Sequence, residues 1–319
     1  MYKINSVQAL RFFAATLVIV CHAFDPAKFG AVGVDIFFVI SGFIIGRAMV
    51  GKSASAFFKA RLIRIYPIYW ICAIPTAILA SQIGATNLSR TLTSITLWPV
   101  FGKDFLQPYL VIGWTLSFEM LFYACVALTL LKRRLAVVFL LGWPLALAAA
   151  FLTDVALLRF IGSPLILEFL SGVLISRLET SRPRPVAGVT LIGLGILIIA
   201  LSDTQKLYLP LNTFELVAPE RALIWGAVAT LIFLGFLQLE KINWGILPYL
   251  GDASYSIYLA HGSALLLAAA LPWQLQVIFA VVFGVGVYRY IEQPVLDFLR
   301  RKFTRVSDLK ERQLSPQKT

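Results

Sequence analysis

Charge is what this sequence has least of. Of 319 residues only 14% are Asp, Glu, Lys or Arg, while 59% are hydrophobic and the mean hydropathy is +0.84. That is too apolar for a soluble domain of this size, and the soluble class is excluded. Histidine occurs twice, as His22 and His261, and cysteine three times, as Cys21, Cys72 and Cys125. No CxxC pair or Cys/His cluster exists. Neither a metal site nor a disulfide framework is expected, and the cysteines read as small core residues. The first apolar stretch has no short hydrophobic region followed by a small-residue cleavage site, so it is taken as a span rather than a cleavable leader. No fixed-period repeat, separate soluble domain or RNA-binding motif is evident. The net charge of +12 is therefore not read as a nucleic-acid footprint.

Long apolar runs, in contrast, are abundant. Segments of about 20 apolar residues mark membrane-spanning helices. About ten are expected, at 6–24, 31–50, 65–82, 112–131, 135–152, 160–176, 186–202, 221–238, 253–271 and 273–291. The apolar stretch 92–101 is too short to span and reads as re-entrant or interfacial. The expected fold class is an all-α polytopic integral membrane protein whose helices enclose a polar cavity. Basic residues crowd one set of connections: Lys3, Arg47 to Arg64, Lys132 to Arg134, Arg177 to Arg184, Lys241, and Arg289 onward. The positive-inside rule then puts both termini in the cytoplasm. Residues 1–299 form the membrane domain, and 300–319 read as a basic, disordered cytoplasmic tail.

Polar side chains inside such spans are costly, which makes them informative. Arg11 sits within the first span and His22 at its far end, eleven positions on. That spacing is close to a whole number of turns, so both lie on one stripe roughly 16 Å apart. A guanidinium at that depth costs about 2.5 kcal/mol or more. An imidazole near the boundary titrates near neutrality and suits a general base. Asp35 falls at the expected depth of His22 and shares a face with Gly42 and Gly46, small residues that admit a neighbouring helix. Asp35 or Asp25 is positioned to orient the imidazole. Arg61 and Arg64 lie one turn apart at the cytoplasmic boundary, where forked donors suit phosphate. On the residues alone, a topogenic, lipid-headgroup cluster is the favoured reading. Trp114, Ser117 and Glu119 enter from the outer side. The Glu119 carboxylate needs a partner, for which Arg11 and His22 are candidates. Ser254, Tyr258 and His261 make a polar stripe, with His261 expected at the depth of Arg11. Arg289 and Glu292 are spaced to pair with each other ahead of Pro294.

The order of these segments is more telling than any one of them. Arg11 and His22 are followed by GVDIFFVISGFI, RLIRIYPIYW, WTLSFEMLFY, SYSIYLAH and YRYIEQPV. From residue 5 to about 298 the chain resembles membrane acyltransferase family 3, particularly its bacterial exopolysaccharide O-acetylating members. The resemblance implies transfer of an acyl group, usually acetyl, from cytoplasmic acetyl-CoA or another acyl-CoA to a sugar hydroxyl at the membrane, without a metal. It implies His22 as the catalytic histidine, as general base or transient acyl carrier, with Arg11 as its motif partner and Arg61 and Arg64 as the acyl-CoA site. Glu119 matches the family's Trp-Ser-x-x-Glu type of motif approximately, with Thr115 where many members carry Ser. Ser117, Trp114, Tyr258 and His261 are expected along the substrate and acyl channel, and Asp35 beside the catalytic group. The implied setting is the bacterial inner membrane, with lipid, an exopolysaccharide or lipid-linked oligosaccharide acceptor, and polysaccharide-assembly machinery as partners. A transporter or flippase using buried Arg, His and Glu for proton coupling is the rival expectation, though no inverted repeat is visible. A structural assembly subunit without turnover is a third.

Overall fold

The computed structural model describes residues 3–101, 104–178, 183–208 and 219–302. The chain is mostly helical, in the order α1 (Asn5–Ala23), α2 (Val32–Ala48), α3 (Ala54–Gln82), α4 (Leu88–Thr96), α5 (Trp114–Leu131), α6 (Leu135–Leu152), α7 (Ala156–Ile161), α8 (Ile166–Arg177), α9 (Pro185–Leu201), α10 (Thr204–Leu207), α11 (Pro219–Gln238), α12 (Leu247–Asp252), α13 (Ser254–Leu267) and α14 (Trp273–Val287). Among the described residues, eight helical segments are long and apolar enough to cross a membrane. The expected ten thus become eight plus two shorter ones. α9 has 17 residues and α13 has 14. α13 stops early because a turn at 268–271 leads into Pro272, which disfavours helix at the residue before it. Most of the loop 203–220 and all of the tail beyond 302 lie outside the described residues.

Two helices run further than their apolar stretch indicates. α3 begins at Ala54, not near residue 65, capped by the Ser53 hydroxyl. Arg61 and Arg64 therefore sit within a 29-residue helix rather than ahead of one. The last helix does not stop before Pro294. A π-helical turn at Tyr288–Glu292 precedes the proline, and the helix continues to Lys302. The wider turn shifts the carbonyl that the ring would otherwise strike. The stretch 92–101 divides between α4 and a two-residue antiparallel ladder, Val100–Phe101 with Asp104–Phe105. α4 is amphipathic: Thr93 and Ser94 are buried while Leu88, Leu92 and Ile95 are exposed. Tyr66 and Trp70 of α3 donate to the carbonyls of Thr96 and Ile95 and fix it in place.

α1, α2 and α11 form the centre and α6 the rim. The α2 span is 78% buried within the protein, the α6 span 6%. α1 and α2 are joined by a connection short enough to make them antiparallel neighbours. The open N–H groups of Asn5 and Ser6 at the start of α1 are satisfied by the Glu240 carboxylate just past α11. α2 and α8 cross at backbone contact. A Cβ on Gly42 would meet the Phe169 carbonyl oxygen at 2.0 Å, and one on Gly172 would meet that of Val39 at 2.0 Å. Gly46 packs instead on a side chain of α8, where a Cβ would meet Ser176 Oγ at 2.0 Å. Small residues at a membrane-helix crossing permit such an approach, as the glycine spacing in α2 anticipates.

Candidate active site

A cavity of about 700 Å³ lies between α1, α2, α3, α5 and α13. Pockets of that volume suit a small-molecule substrate. Its polar lining comes from Arg11, Ser41, Lys59, Arg61, Arg64, Thr115, Glu119, Tyr123, Ser254, Tyr255, Tyr258 and Arg300, set among Phe and Ile side chains. Lys59 and Arg300 are exposed and mark the mouth, at the end where α3 and α13 begin. Five basic side chains and one carboxylate, Glu119, line it, so basic groups predominate.

Each charged group has its own setting. Arg64 pairs with Glu292, which also accepts from Ser256 Oγ at 2.5 Å. The expected Arg289–Glu292 pair is therefore not formed, and Arg289 bonds Gln293 at 3.1 Å. The π-helical turn accompanies this arrangement by turning the buried Glu292 towards α3. Arg61 lies 5.9 Å from the Phe57 ring centre and 6.0 Å from that of Tyr123, with its Nε buried and without a hydrogen-bond partner. Glu119 accepts from Ser41 Oγ at 2.8 Å and from the Tyr123 hydroxyl. These replace Arg11 and His22 as its hydrogen-bond partners. Arg11 donates to Gln8 at 3.2 Å and faces the same cavity as Glu119.

Thr115 and Tyr258 close the inner end of the cavity, their hydroxyls 3.1 Å apart. Thr115 also bonds the Ile112 carbonyl. Ser117 is buried with its Oγ unpartnered. Trp114 packs edge-on against Phe38 and Phe118. The side chain two positions before Ser117 therefore supplies the polar contact.

His22 does not line the cavity. It sits at the opposite end of α1, its Nδ1 2.8 Å from the Val18 carbonyl oxygen. His261 lies beside it, ring centres 5.0 Å apart, rather than at the level of Arg11. Helix direction explains the difference: α13 begins at Ser254 near the cavity and carries residue 261 two turns further towards the end of α1.

Asp35 is not the orienter of His22. Its carboxylate is held by Arg221 of α11, at 3.3 Å from Nε and 2.9 Å from Nη2. Asp25 pairs with Lys28. A main-chain carbonyl takes the place expected for a carboxylate. Arg221 also stacks over Trp225, and the buried Glu168 of α8 lies within hydrogen-bonding reach of the Asp35 carboxylate. The sequence reasoning missed Arg221 and Glu168, as well as Ser41 and Tyr123, and named Thr115 only as a departure from the motif. Arg221 carried a signal, a charge at the edge of an apolar run. Among the described residues, no three histidine, cysteine or carboxylate groups gather as metal ligands.

A family model described as the Acyltransferase domain, acyltransferase family 3, matches residues 4–291. The chain belongs to this family. The chain is similar to exopolysaccharide production protein ExoZ of Rhizobium meliloti strain 1021, with 33% identity over 304 residues, 84% of this chain and 90% of that protein. Nodulation protein 10 of Rhizobium leguminosarum bv. viciae is 29% identical over 37% of this chain and 42% of its own. Acyltransferase MdmB of Streptomyces mycarofaciens is 27% identical over 38% of each chain. No solved structure matches. Acyltransferase family 3 membership makes this an apolar, multi-helix transferase, and its matched region contains His22, Arg11, Arg61, Arg64, Glu119 and His261.

Proposed function

We propose that this acyltransferase moves an acyl group, most simply acetyl, from cytoplasmic acyl-CoA to a hydroxyl of an exopolysaccharide or other surface glycan. The carrying observation is the basic-mouthed cavity of about 700 Å³ that leads from Arg61, Lys59 and Arg300 inward to Tyr258. Phosphates of the donor dock on Arg61 and its basic neighbours, because guanidinium forks match phosphate oxygens. The acyl-pantetheine arm, on the order of half a bilayer long, lies along Ile40, Ile44 and Phe37 and brings the thioester past Arg11 and Glu119. Arg64, already neutralised by Glu292, shapes the channel and adds little charge to it.

His22 receives the acceptor at the far end of α1. Its Nδ1 is committed to a carbonyl, so Nε2 is the basic nitrogen, free to remove the hydroxyl proton or to carry the acyl group. Asp35 acts at a distance, by anchoring α2 to α11 through Arg221. The protein resides in the bacterial inner membrane, with its cavity mouth in the cytoplasm. ExoZ supports the glycan assignment through its printed role in exopolysaccharide production.

The test uses purified protein in detergent, radiolabelled acetyl-CoA, and exopolysaccharide stripped of its esters by mild alkali. Label is expected to enter the glycan as an alkali-labile ester with no ion gradient present, and His22→Ala is expected to abolish it. Gradient-dependent movement of glycan without ester formation would replace this reading with the transporter.

A further inference from the structure

His22 and His261 belong to helices distant in sequence, yet their rings lie 5.0 Å apart, inclined by 49°. Each ring spends Nδ1 on a main-chain carbonyl of its own helix, His22 on Val18 at 2.8 Å and His261 on Tyr258 at 2.5 Å. A carbonyl only accepts, so in both neutral rings Nδ1 carries the hydrogen and Nε2 the lone pair. Two basic nitrogens are thus presented by one ring pair. Like charges this close oppose each other, so the pair takes up one added proton, not two.

The two rings differ in access. His22 is exposed at the end of α1, whereas His261 is 1% exposed. Tyr258, about one turn earlier in α13, stands 5.8 Å from His261, ring centre to ring centre, and lines the cavity. The order through the protein is therefore cavity, Tyr258, His261, His22, acceptor side.

We propose that His261 carries the proton between the acceptor side and the donor side of the reaction. This rests on the acyl-transfer reading above. The acceptor hydroxyl loses its proton to His22 Nε2 as its oxygen bonds the acyl carbon. The carbon–sulfur bond breaks, and the electron pair leaves with the CoA sulfur. His22 passes the proton to His261 Nε2, which delivers it to that sulfur. Ester and free thiol result, and both imidazoles return to neutral. For this the thioester reaches past Tyr258 to the ring pair, with its sulfur beside His261 and its acyl carbon at the acceptor oxygen on His22.

The test compares wild type with His261→Gln and His261→Gly in the labelled acetyl-CoA assay with ester-stripped exopolysaccharide. Proton-transfer groups contribute about a hundredfold or more to rate. Both variants are expected to lose at least that in kcat, with KM for acetyl-CoA within about twofold of wild type. Added free imidazole is expected to raise turnover of His261→Gly severalfold and to leave His261→Gln unchanged. Wild-type kcat in His261→Gln overturns the proposal, as does a loss confined to KM. A His261→Gly protein that melts like wild type and is not rescued by imidazole also overturns it, leaving the ring a packing role. Absence of acetyl transfer by the wild-type protein fails the underlying acyl-transfer reading instead, and this inference with it.

Discussion

Arg61 and Arg64 look interchangeable in sequence: one residue type, one helical turn apart, beside the same lysine. Their surroundings separate them. Arg64 is held by a carboxylate with no exposed side-chain surface, Glu292, whereas Arg61 is flanked by aromatic rings and has an unpartnered Nε. Arg61→Ala is therefore expected to raise KM for acetyl-CoA roughly tenfold or more, since a hydrogen bond to a charged group is worth about 1.5–3 kcal/mol. Its thermal stability should stay near that of wild type. Arg64→Ala strands a buried carboxylate, and breaking such a pair costs about 3–5 kcal/mol. It should show first as a lower melting temperature in detergent. Equal KM effects from the two variants, with equal melting temperatures, would contradict the assignment. The same logic limits what residue-scale reasoning from sequence can achieve. The cost of burying Asp35 is visible from its apolar neighbours, and so is the demand for a partner. The partner, Arg221, is 186 residues away, and no local pattern links the two. The nearer candidate, His22, matched by depth alone.

At the scale of helices, periodicity and length carry most of the information. The apolar runs locate nearly every long helix, because a span must be apolar over its whole hydrocarbon depth. They misplace ends wherever polar residues remain helical, as at the start of α3 and beyond Pro294. A span criterion registers where hydrophobicity ends, not where hydrogen bonding does. The glycines of α2 are legible as a close-contact face, but the helix they meet is not. α8 could be identified only in three dimensions, where Gly42 and Gly172 sit opposite each other's backbones. Gly172→Leu puts a side chain where even a Cβ would lie 2.0 Å from the Val39 carbonyl oxygen. Overpacking of this kind costs typically 1–3 kcal/mol, and more where backbone blocks relief, as here. The variant is expected to lose its monodisperse peak on size exclusion. Gly142→Leu, at a glycine of α6 with open space around it, is expected to keep that peak. A normal profile for Gly172→Leu would show that the α2–α8 crossing is looser than described.

Across the whole molecule, the functional argument depends on which end faces which side. The basic cavity mouth and the histidine pair lie at opposite ends of α1, so one membrane orientation puts the donor site in the cytoplasm and the acceptor site outside, and the other reverses them. Charge bias in the connections favours the first, and it uses residues at both ends of many helices rather than any single motif. Lys52 in the α2–α3 turn and Lys241 after α11 are exposed near the cavity end, while Asp25 and Ala85 are exposed at the other. In a background with Cys21, Cys72 and Cys125 replaced, single cysteines at these four positions make the orientation measurable in intact cells. A membrane-impermeant maleimide is expected to label Asp25→Cys and Ala85→Cys in cells whose outer membrane has been opened. It should label Lys52→Cys and Lys241→Cys only after the inner membrane is lysed. The reverse pattern would put the acyl-CoA cavity on the side where acyl-CoA is absent. The donor would then have to enter past His22, and both the proton path through His261 and the docking role of Arg61 would fall together.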